Sequence, residues 1–567
     1  MDDTKYLITS ALPYINGQPH LGHMVGCLLP SDVYARFMRQ MGKDVLYICG
    51  TDEHGTASEV GALNEGLSVE DYCKKYHDVH AEIYKAFDLS FDYFGRTSSE
   101  QNKEITYHIF EQLDKNGYIE ERTIKQVYSI DDQMFLADRY ITGTCPYCGY
   151  DKARGDQCEN CTKVLDPTDL IDAKSTISGS GNLEVRETKH LFIKLPALEE
   201  QLKKWLETKE YSWPDVAYSI AKKWLKEGLQ ERCITRDLKW GFPVPKPGFE
   251  DKVFYVWFDA PIGYIGITKQ WSDEKPESRH WKDWWLNAPH VKHVEFMGKD
   301  NVPFHTITFP AQLLGTQEAW TQVDFLKGMS YLTFNGGKFS KSEHRGVFAA
   351  DAVAEFPVDY WRYWLMANAP ESSDASFTFE AFANTINKDL NDVLGNFINR
   401  VMKMTTNNFG PVVPQGGDIT DEEKALFTRM DELVNNYTTF LTELEFRKAF
   451  ATLREMWVEG NNYIARNEPW KVVKTDQDRA ACILRTALNL IRIYAILSAP
   501  IMPQTAAKML SLINVSSEPL GWISEPMAEA LTYLKPGHPL CQPELLFSKI
   551  PPEKVEELAV KYKEKEA

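Results

Sequence analysis

Tyr6-Leu7-Ile8-Thr9-Ser10 leads through a Pro/Asn/Gly turn at Pro13 to Pro19 into Pro19-His20-Leu21-Gly22-His23. From Leu21 onward Val25, Leu28, Leu29, Val33 and Phe37 recur at helical spacing until Gly42. A short apolar strand, a turn and an amphipathic helix are the opening of an α/β body. His20 and His23 fall at the helix entrance, where free backbone N–H groups and the helix dipole favour anions. Far downstream, Gly336-Gly337 precedes Lys338-Phe339-Ser340-Lys341-Ser342. Two imidazoles and a separate lysine-rich loop are the donors needed to neutralise a triphosphate while its α-phosphorus is attacked. Alone, each motif is weak, and the second equally describes a solvated basic loop.

Working outward, Asp44-Val45-Leu46-Tyr47-Ile48-Cys49-Gly50 is a second strand candidate ending at Thr51-Asp52-Glu53-His54-Gly55. His293-Val294-Glu295-Phe296-Met297 is a third, ending at Gly298-Lys299-Asp300-Asn301. Polar residues thus cluster after the carboxyl ends of three strands, where open parallel sheets bind ligands. A stretch from about residue 116 to 215 interrupts this body. The sheet pattern is expected to resume at Cys233-Ile234-Thr235-Arg236-Asp237 and at Val253-Phe254-Tyr255-Val256-Trp257-Phe258. After about residue 375 long helices take over: Thr420-Asp421-Glu422-Glu423 reads as a capping-box start, Phe446, Phe450, Leu453 and Trp457 share a helical face, and Pro500 and Pro503 close the region.

At 567 residues the chain has room for roughly three or four domains. Its hydrophobic share is 43%, and no uninterrupted apolar run approaches the roughly 18 residues of a membrane span. The polar, acidic start lacks the layout of a secretory signal, so the expected compartment is the cytoplasm, with no membrane partner. A formal charge of −18 argues against a nucleic-acid partner only if the 63 basic residues are evenly spread. Of ten cysteines, Cys27, Cys49, Cys73, Cys233, Cys482 and Cys541 are scattered and read as buried free thiols. Cys145, Cys148, Cys158 and Cys161 form C-x2-C-x9-C-x2-C, in a segment with little apolar content of its own. That spacing suits a closed tetrahedral Zn²⁺ site, one structural ion per chain. Two disulfides, disfavoured in a reducing compartment, and an iron–sulfur centre are the other readings.

The two phosphate motifs in this order resemble the paired signatures of class I aminoacyl-tRNA synthetases. Ala11-Leu12-Pro13-Tyr14-Ile15-Asn16-Gly17 before His20-Leu21-Gly22-His23 narrows the resemblance to the methionyl-tRNA synthetase family. It implies a Rossmann-like parallel-sheet catalytic domain with a zinc-knuckle insertion and an α-helical bundle that binds an anticodon. The expected boundaries are residues 1–115 and 216–325 for the catalytic halves, 116–215 for the insertion, and 326–375 for the lysine loop and stem-contact region. The helical domain takes 376–530 and a C-terminal segment 531–567.

The resemblance also assigns residues. His20, His23, Lys338 and Lys341 are the catalytic set, with Gly22 and Asp300 joining the histidines and Lys341 in holding ATP, accompanied by Mg²⁺. Methionine falls to Leu12, Tyr14, Asp52, Arg236, Trp257, Ala260, Pro261, Tyr264 and His305, with Asp52 on the ammonium. Anticodon contacts fall to Asn396, Arg400, Pro469 and Trp470. Asp392 stands where an asparagine is usual and Phe339 where methionine is frequent. The implied partners are ATP, L-methionine and initiator and elongator tRNA(Met). No appended OB module follows Ile550, which favours a monomer. Singly, Trp257, Tyr264 and Phe304 read as core aromatics, Asp52 as a turn residue, Arg236 as a brace for Asp52 or Asp237, and Trp470 as helix core. A smaller nucleotidyltransferase or a non-enzymatic RNA-binding paralogue shares parts of the pattern, but the former needs no zinc insertion and the latter no intact histidine and lysine motifs.

Overall fold

The structure, a computed structural model, describes residues 3–136, 138–155, 158, 160–161, 163–210, 212–339, 345–517 and 520–562. Two compact units share the chain. The first gathers Met1–Gln18, Leu46–Glu82 and Phe91–Gly328, and the second gathers Pro19–Val45, Ile83–Ser90 and Met329–Ala567.

The first unit is built on a five-stranded sheet of β1 (Lys5–Ser10), β2 (Asp44–Thr51), β3 (Tyr93–Arg96), β4 (Val291–Gly298) and β5 (Val323–Met329), in the order β5-β4-β1-β2-β3. β1 runs parallel to β4, from Lys5 beside Val291 to Ser10 beside Phe296, and β2 runs parallel to β3. Leu7, Ile8, Tyr47, Ile48, Cys49 and Phe296 are all fully buried. Burial on both faces explains why these strands read as near-continuous apolar runs. The sequence pattern located three of the five strands.

Two expectations fail at the return to this body. Only Val253–Phe254 is extended, and Val256–Asp273 is an α-helix. That helix is buried on nearly every side, from Phe258 through Thr268, so its sequence shows no 3.6-residue alternation and imitates a buried strand. Near Cys233 there are only two-residue strands, and neither joins the parallel sheet. Arg232–Cys233 pairs antiparallel with Leu183–Ile193, and Thr235–Arg236 with Val253–Phe254.

The insertion is a long antiparallel ladder, Ile119–Ser129 against Leu183–Ile193. Beyond it Ile141–Thr144 sits between Ala153–Arg154 and Ile171–Ser175. The expectation that the cysteine segment is nearly coreless is corrected: Leu136, Tyr140, Ile141, Ala153, Leu165 and Leu170 pack with Cys145 and Cys158 into a small apolar core.

In the second unit, Asp421–Thr442, Phe446–Asn467 and Gln477–Ser498 are helices of 22 residues each. The capping box forms as read, with Thr420 and Glu423 closing each other's backbone N–H groups. Phe446, Phe450, Leu453 and Trp457 are all buried. Gln477–Ser498 has a mean hydropathy of 1.6 and is long enough to cross a membrane, yet 89% of its apolar window is buried, as in a soluble core helix. Pro503 does not close the helical region, because it starts another helix, Pro503–Leu512, at a position where its missing N–H costs nothing. The scattered cysteines divide: Cys49, Cys73 and Cys482 are buried, Cys27 and Cys233 partly so, and Cys541 is exposed, against the expectation for all six.

Candidate functional site

The carboxyl ends of β1, β2 and β4 deliver the first site. A small cavity in the first unit is lined by Ala11, Leu12 and Tyr14 after β1, Asp52 after β2, Trp257, Ala260, Pro261 and Tyr264 from the helix Val256–Asp273, and Asn301 and His305 after β4. Eight of the nine expected methionine residues therefore meet. Arg236 is the exception: its guanidinium stacks on Tyr255 at 3.5 Å and does not line the cavity. Asp237, the other acid considered for it, instead accepts from His190 and Lys252. Ala11 and Asn301 were missed, as was Phe304, whose ring lies on Trp257 with centroids 3.6 Å apart and planes 11° apart.

The cavity has two electrostatic ends. His305 Nδ1 lies 2.8 Å from the carbonyl of Asn301, so it carries the proton, and Nε2 accepts from the Tyr264 hydroxyl at 2.9 Å. Burial pushes the His305 pKa down to about 4, so the ring is neutral at physiological pH. At the other end Asp52 is 4% exposed and its Oδ1 has no hydrogen-bond partner. Burial, then Asp259, then Glu53 push its carboxyl well above the ordinary range. Glu53 is satisfied by Thr51, Ser98 and Arg96. Asp259 Oδ2 meets His54 Nδ1 at 2.5 Å, and both side chains are buried. Asp52 is thus a buried carboxylate with like-charged neighbours and an unfilled acceptor, ready for a cation.

In the second unit His20 caps the helical turn Leu21–His23. Gly22 N donates to His20 Nδ1 at 3.1 Å, and His20 N donates to His23 Nδ1 at 3.2 Å. With both Nδ1 atoms accepting, each neutral ring carries its proton on Nε2 as a donor. Glycine at 22 has a local cause, since a Cβ there would meet His20 Cε1 at 2.9 Å. The next turn, Met24–Leu28, is π-helical. So are Phe304–Thr308, which carries His305, and Ile386–Gly395, which runs into Asn396. Such turns recur at functional sites, and composition carries no signal for them. Phe339 stacks on His20 with centroids 4.7 Å apart. Asp300 lies in the single turn Lys299–Asn301 after β4. Lys338 is described by its backbone alone, paired with Thr333, and Lys341 lies outside the described residues.

The four motif cysteines converge in the insertion, every sulfur within 4.8 Å of every other. Cys145 and Cys161 are 3.8 Å apart, and Cys148 and Cys158 are 3.7 Å apart. Bonds of about 2.3 Å at the tetrahedral angle place sulfurs at about this separation, whereas a disulfide needs about 2.05 Å. The cluster can hold a metal ion.

On the helical unit, Arg400 lies over the Trp470 ring at 5.3 Å, and Trp470 is 38% exposed. The core reading of Trp470 is therefore excluded. Pro469 opens the short helix Pro469–Val472, and Asn396 Nδ2 donates to the Asp392 carbonyl one turn earlier. The Asp392 carboxylate is paired with Lys549 at 2.9 Å.

Residues 6–402 match the family model of class I tRNA synthetases (M), and residues 413–567 match the anticodon binding domain of methionyl tRNA ligase. The methionine–tRNA ligase of Streptomyces avermitilis is 53% identical over 97% of this chain and 98% of its own, and methionine–tRNA ligase 1 of Acaryochloris marina is 52% identical over 98% and 99%. Among solved structures, Mycobacterium tuberculosis methionyl-tRNA synthetase in complex with methionyl-adenylate superposes with a TM-score of 0.78 at 25% identity, covering 96% of this chain and 99% of that one. The fold and the matched models define a class I tRNA synthetase. Within that class, the chain belongs to the methionine–tRNA ligases.

Proposed function

We propose that the chain activates L-methionine with ATP and transfers it to the 3′ end of tRNA(Met) in the cytoplasm, with residues 1–115 and 216–325 as catalytic halves around the insertion and 376–530 reading the anticodon. The observation that carries this reading is the cavity where the unpaired Oδ1 of Asp52 and a wall of aromatic rings meet. A carboxylate pairs with the ammonium of an amino acid, and aromatic edges receive a polarizable thioether. The cavity measures ≈ 20 Å³, room for about one water. A methionine side chain is larger than this space, so its entry requires the cavity to widen.

In the first step an oxygen of the methionine carboxylate attacks the α-phosphorus, and the bond from that phosphorus to the β-bridging oxygen breaks, releasing pyrophosphate. Little covalent help is needed, so positioning and charge stabilisation do the work. His20 and His23 donate through Nε2 to the phosphates, Asp300 and Gly22 hold the nucleoside, and Lys338 and Lys341 meet the pyrophosphate as it gains charge. Mg²⁺ accompanies the nucleotide and offsets phosphate charge. In the second step a ribose hydroxyl at the tRNA 3′ end attacks the adenylate's carbonyl carbon and AMP leaves. Trp470 stacks an anticodon base while Arg400, Asn396 and Pro469 flank it. Zn²⁺ held by Cys145, Cys148, Cys158 and Cys161 supplies folding free energy to the insertion.

ATP–pyrophosphate exchange measured with each amino acid tests the proposal. Exchange dependent on methionine alone is expected, and it should collapse in Asp52→Asn without a lower unfolding temperature. Exchange driven by another amino acid, or by none, overturns it.

A further inference from the structure

Two residues flank the positions that carry Asp52 and Ala260 and touch none of the cavity's space. His54 lies two positions after Asp52, and Asp259 immediately precedes Ala260 and Pro261 in the helix that forms the opposite wall. Their side chains meet at 2.5 Å, with His54 3% exposed and Asp259 not exposed at all. The His54 ring is set edge-on against Phe242 at 4.5 Å and Trp240 at 5.5 Å, and Trp240 Nε1 donates to the Glu53 carbonyl at 2.6 Å. Asp259 Oδ1 has no hydrogen-bond partner, like Asp52 Oδ1.

We propose that His54 and Asp259 form a positioning pair for the ammonium end of the amino-acid site, on which Asp52's selectivity for a cationic substrate depends. This rests on the reading of Asp52 as the ammonium partner. The pair acts in two ways. It ties the turn after β2, which carries Asp52, to the first turns of the helix that carries Ala260 and Pro261, fixing the spacing of two walls 205 residues apart in sequence. It also buries a second carboxylate near the first, and two anions in a low-dielectric site repel each other until a cation arrives. The charged and titratable surroundings of Asp52 are Glu53 with its partner Arg96, the His54–Asp259 pair, and the neutral His305 and Tyr264 of the cavity wall. Asp259 stands ahead of Glu53 in raising the Asp52 carboxyl.

Asp259→Asn keeps the shape and a hydrogen bond to His54 but removes the charge. Binding is read by equilibrium dialysis of methionine and of its des-amino analogue, 4-(methylthio)butanoate, across pH. The sign follows from a raised Asp52 pKa: ammonium binding is complete above that pKa and is lost as pH falls through it. In Asp259→Asn this acid limb should move to lower pH. The preference for methionine over the analogue at high pH should fall roughly tenfold, the scale of one nearby unit charge at an effective protein dielectric. His54→Gln, which keeps a donor to Asp259, should preserve most of the preference. Equal weakening of both ligands in Asp259→Asn, or an unmoved acid limb, overturns the proposal and leaves the pair merely structural. Asp52→Asn is the control: if it too leaves the preference intact, the reading of Asp52 has failed, not that of the pair.

Discussion

Arg362 Nη2 and Asp32 Oδ2 meet at 2.6 Å with both side chains wholly buried in the second unit. The same guanidinium donates to the carbonyls of Phe87, Asp88, Pro500 and Ile501, so one side chain satisfies backbone from two stretches of sequence. Removing it strands a charge and four acceptors together. Arg362→Met should lower unfolding stability by about 3–5 kcal/mol. Denaturant unfolding of Arg362→Met, Asp32→Asn and the double variant should give losses that do not add, because the two residues share one network.

Burial alone would raise the Asp32 carboxyl, but Arg36, Arg362 and Ser90 outweigh it and hold it below the ordinary value. Glu423 behaves alike: against the cost of burial, Arg479, Tyr463 and Thr420 bring it down to about 2. Arg479 reaches it through both terminal nitrogens, at 2.7 and 2.8 Å. A depressed carboxylate contributes stability above its unfolded pKa, about 4.3 for Glu, and that contribution is lost as pH falls through the folded value. Glu423→Gln should therefore cost about 1.5–3 kcal/mol at neutral pH, and its stability should vary less than wild type's between pH 4.5 and 2. A parallel pH dependence in the two proteins would refute this.

Cys158 sits in the core of the insertion with no exposed surface. Cys158→Ala should abolish the bound metal and disorder the segment around residues 138–175. Elemental analysis should find one Zn²⁺ per wild-type chain and none in the variant, and a chelator should reproduce the variant's proteolytic sensitivity. Iron in place of zinc would restore the iron–sulfur reading.

Trp470→Ala should weaken tRNA binding by about 1–3 kcal/mol, the range for one base–aromatic stack. Methionine-dependent pyrophosphate exchange without tRNA should stay near wild type. Because the ring is partly exposed and faces the Arg400 guanidinium, the unfolding temperature should hardly move. Unchanged discrimination between cognate and anticodon-altered tRNA would remove the recognition role.

Legibility of the sequence tracked one-sided burial and local spacing. The helix Asp421–Thr442 announced its start through Thr420 and Glu423, and β1, β2 and β4 through apolar runs ending in polar turns. The helix Val256–Asp273 was misread because burial on all sides erased its period. The cysteine quartet was legible because its ligands lie in one local pattern. His54 and Asp259 were not, since nothing local to either indicates a partner 205 residues away. The three π-turns were equally hidden, being a shift of hydrogen-bond register without a compositional mark.

The pairing of Asp32 with Arg362 spans 330 residues, which sets a timetable for a chain emerging from a ribosome. At about 5–20 residues per second, Asp32 waits roughly 15–65 s for its partner to be synthesised. Trp522, which packs against Phe37, arrives later still. Through that interval the helix Leu29–Gln40 has only the nearer segment of its unit, Ile83–Ser90, to dock on, which Arg36 and Arg39 reach at Asp88 and Ser90. Completion of this part of the second unit thus waits on synthesis of the C-terminal helices, and slowing elongation should lengthen the time its apolar surface stays uncovered and raise the aggregated fraction.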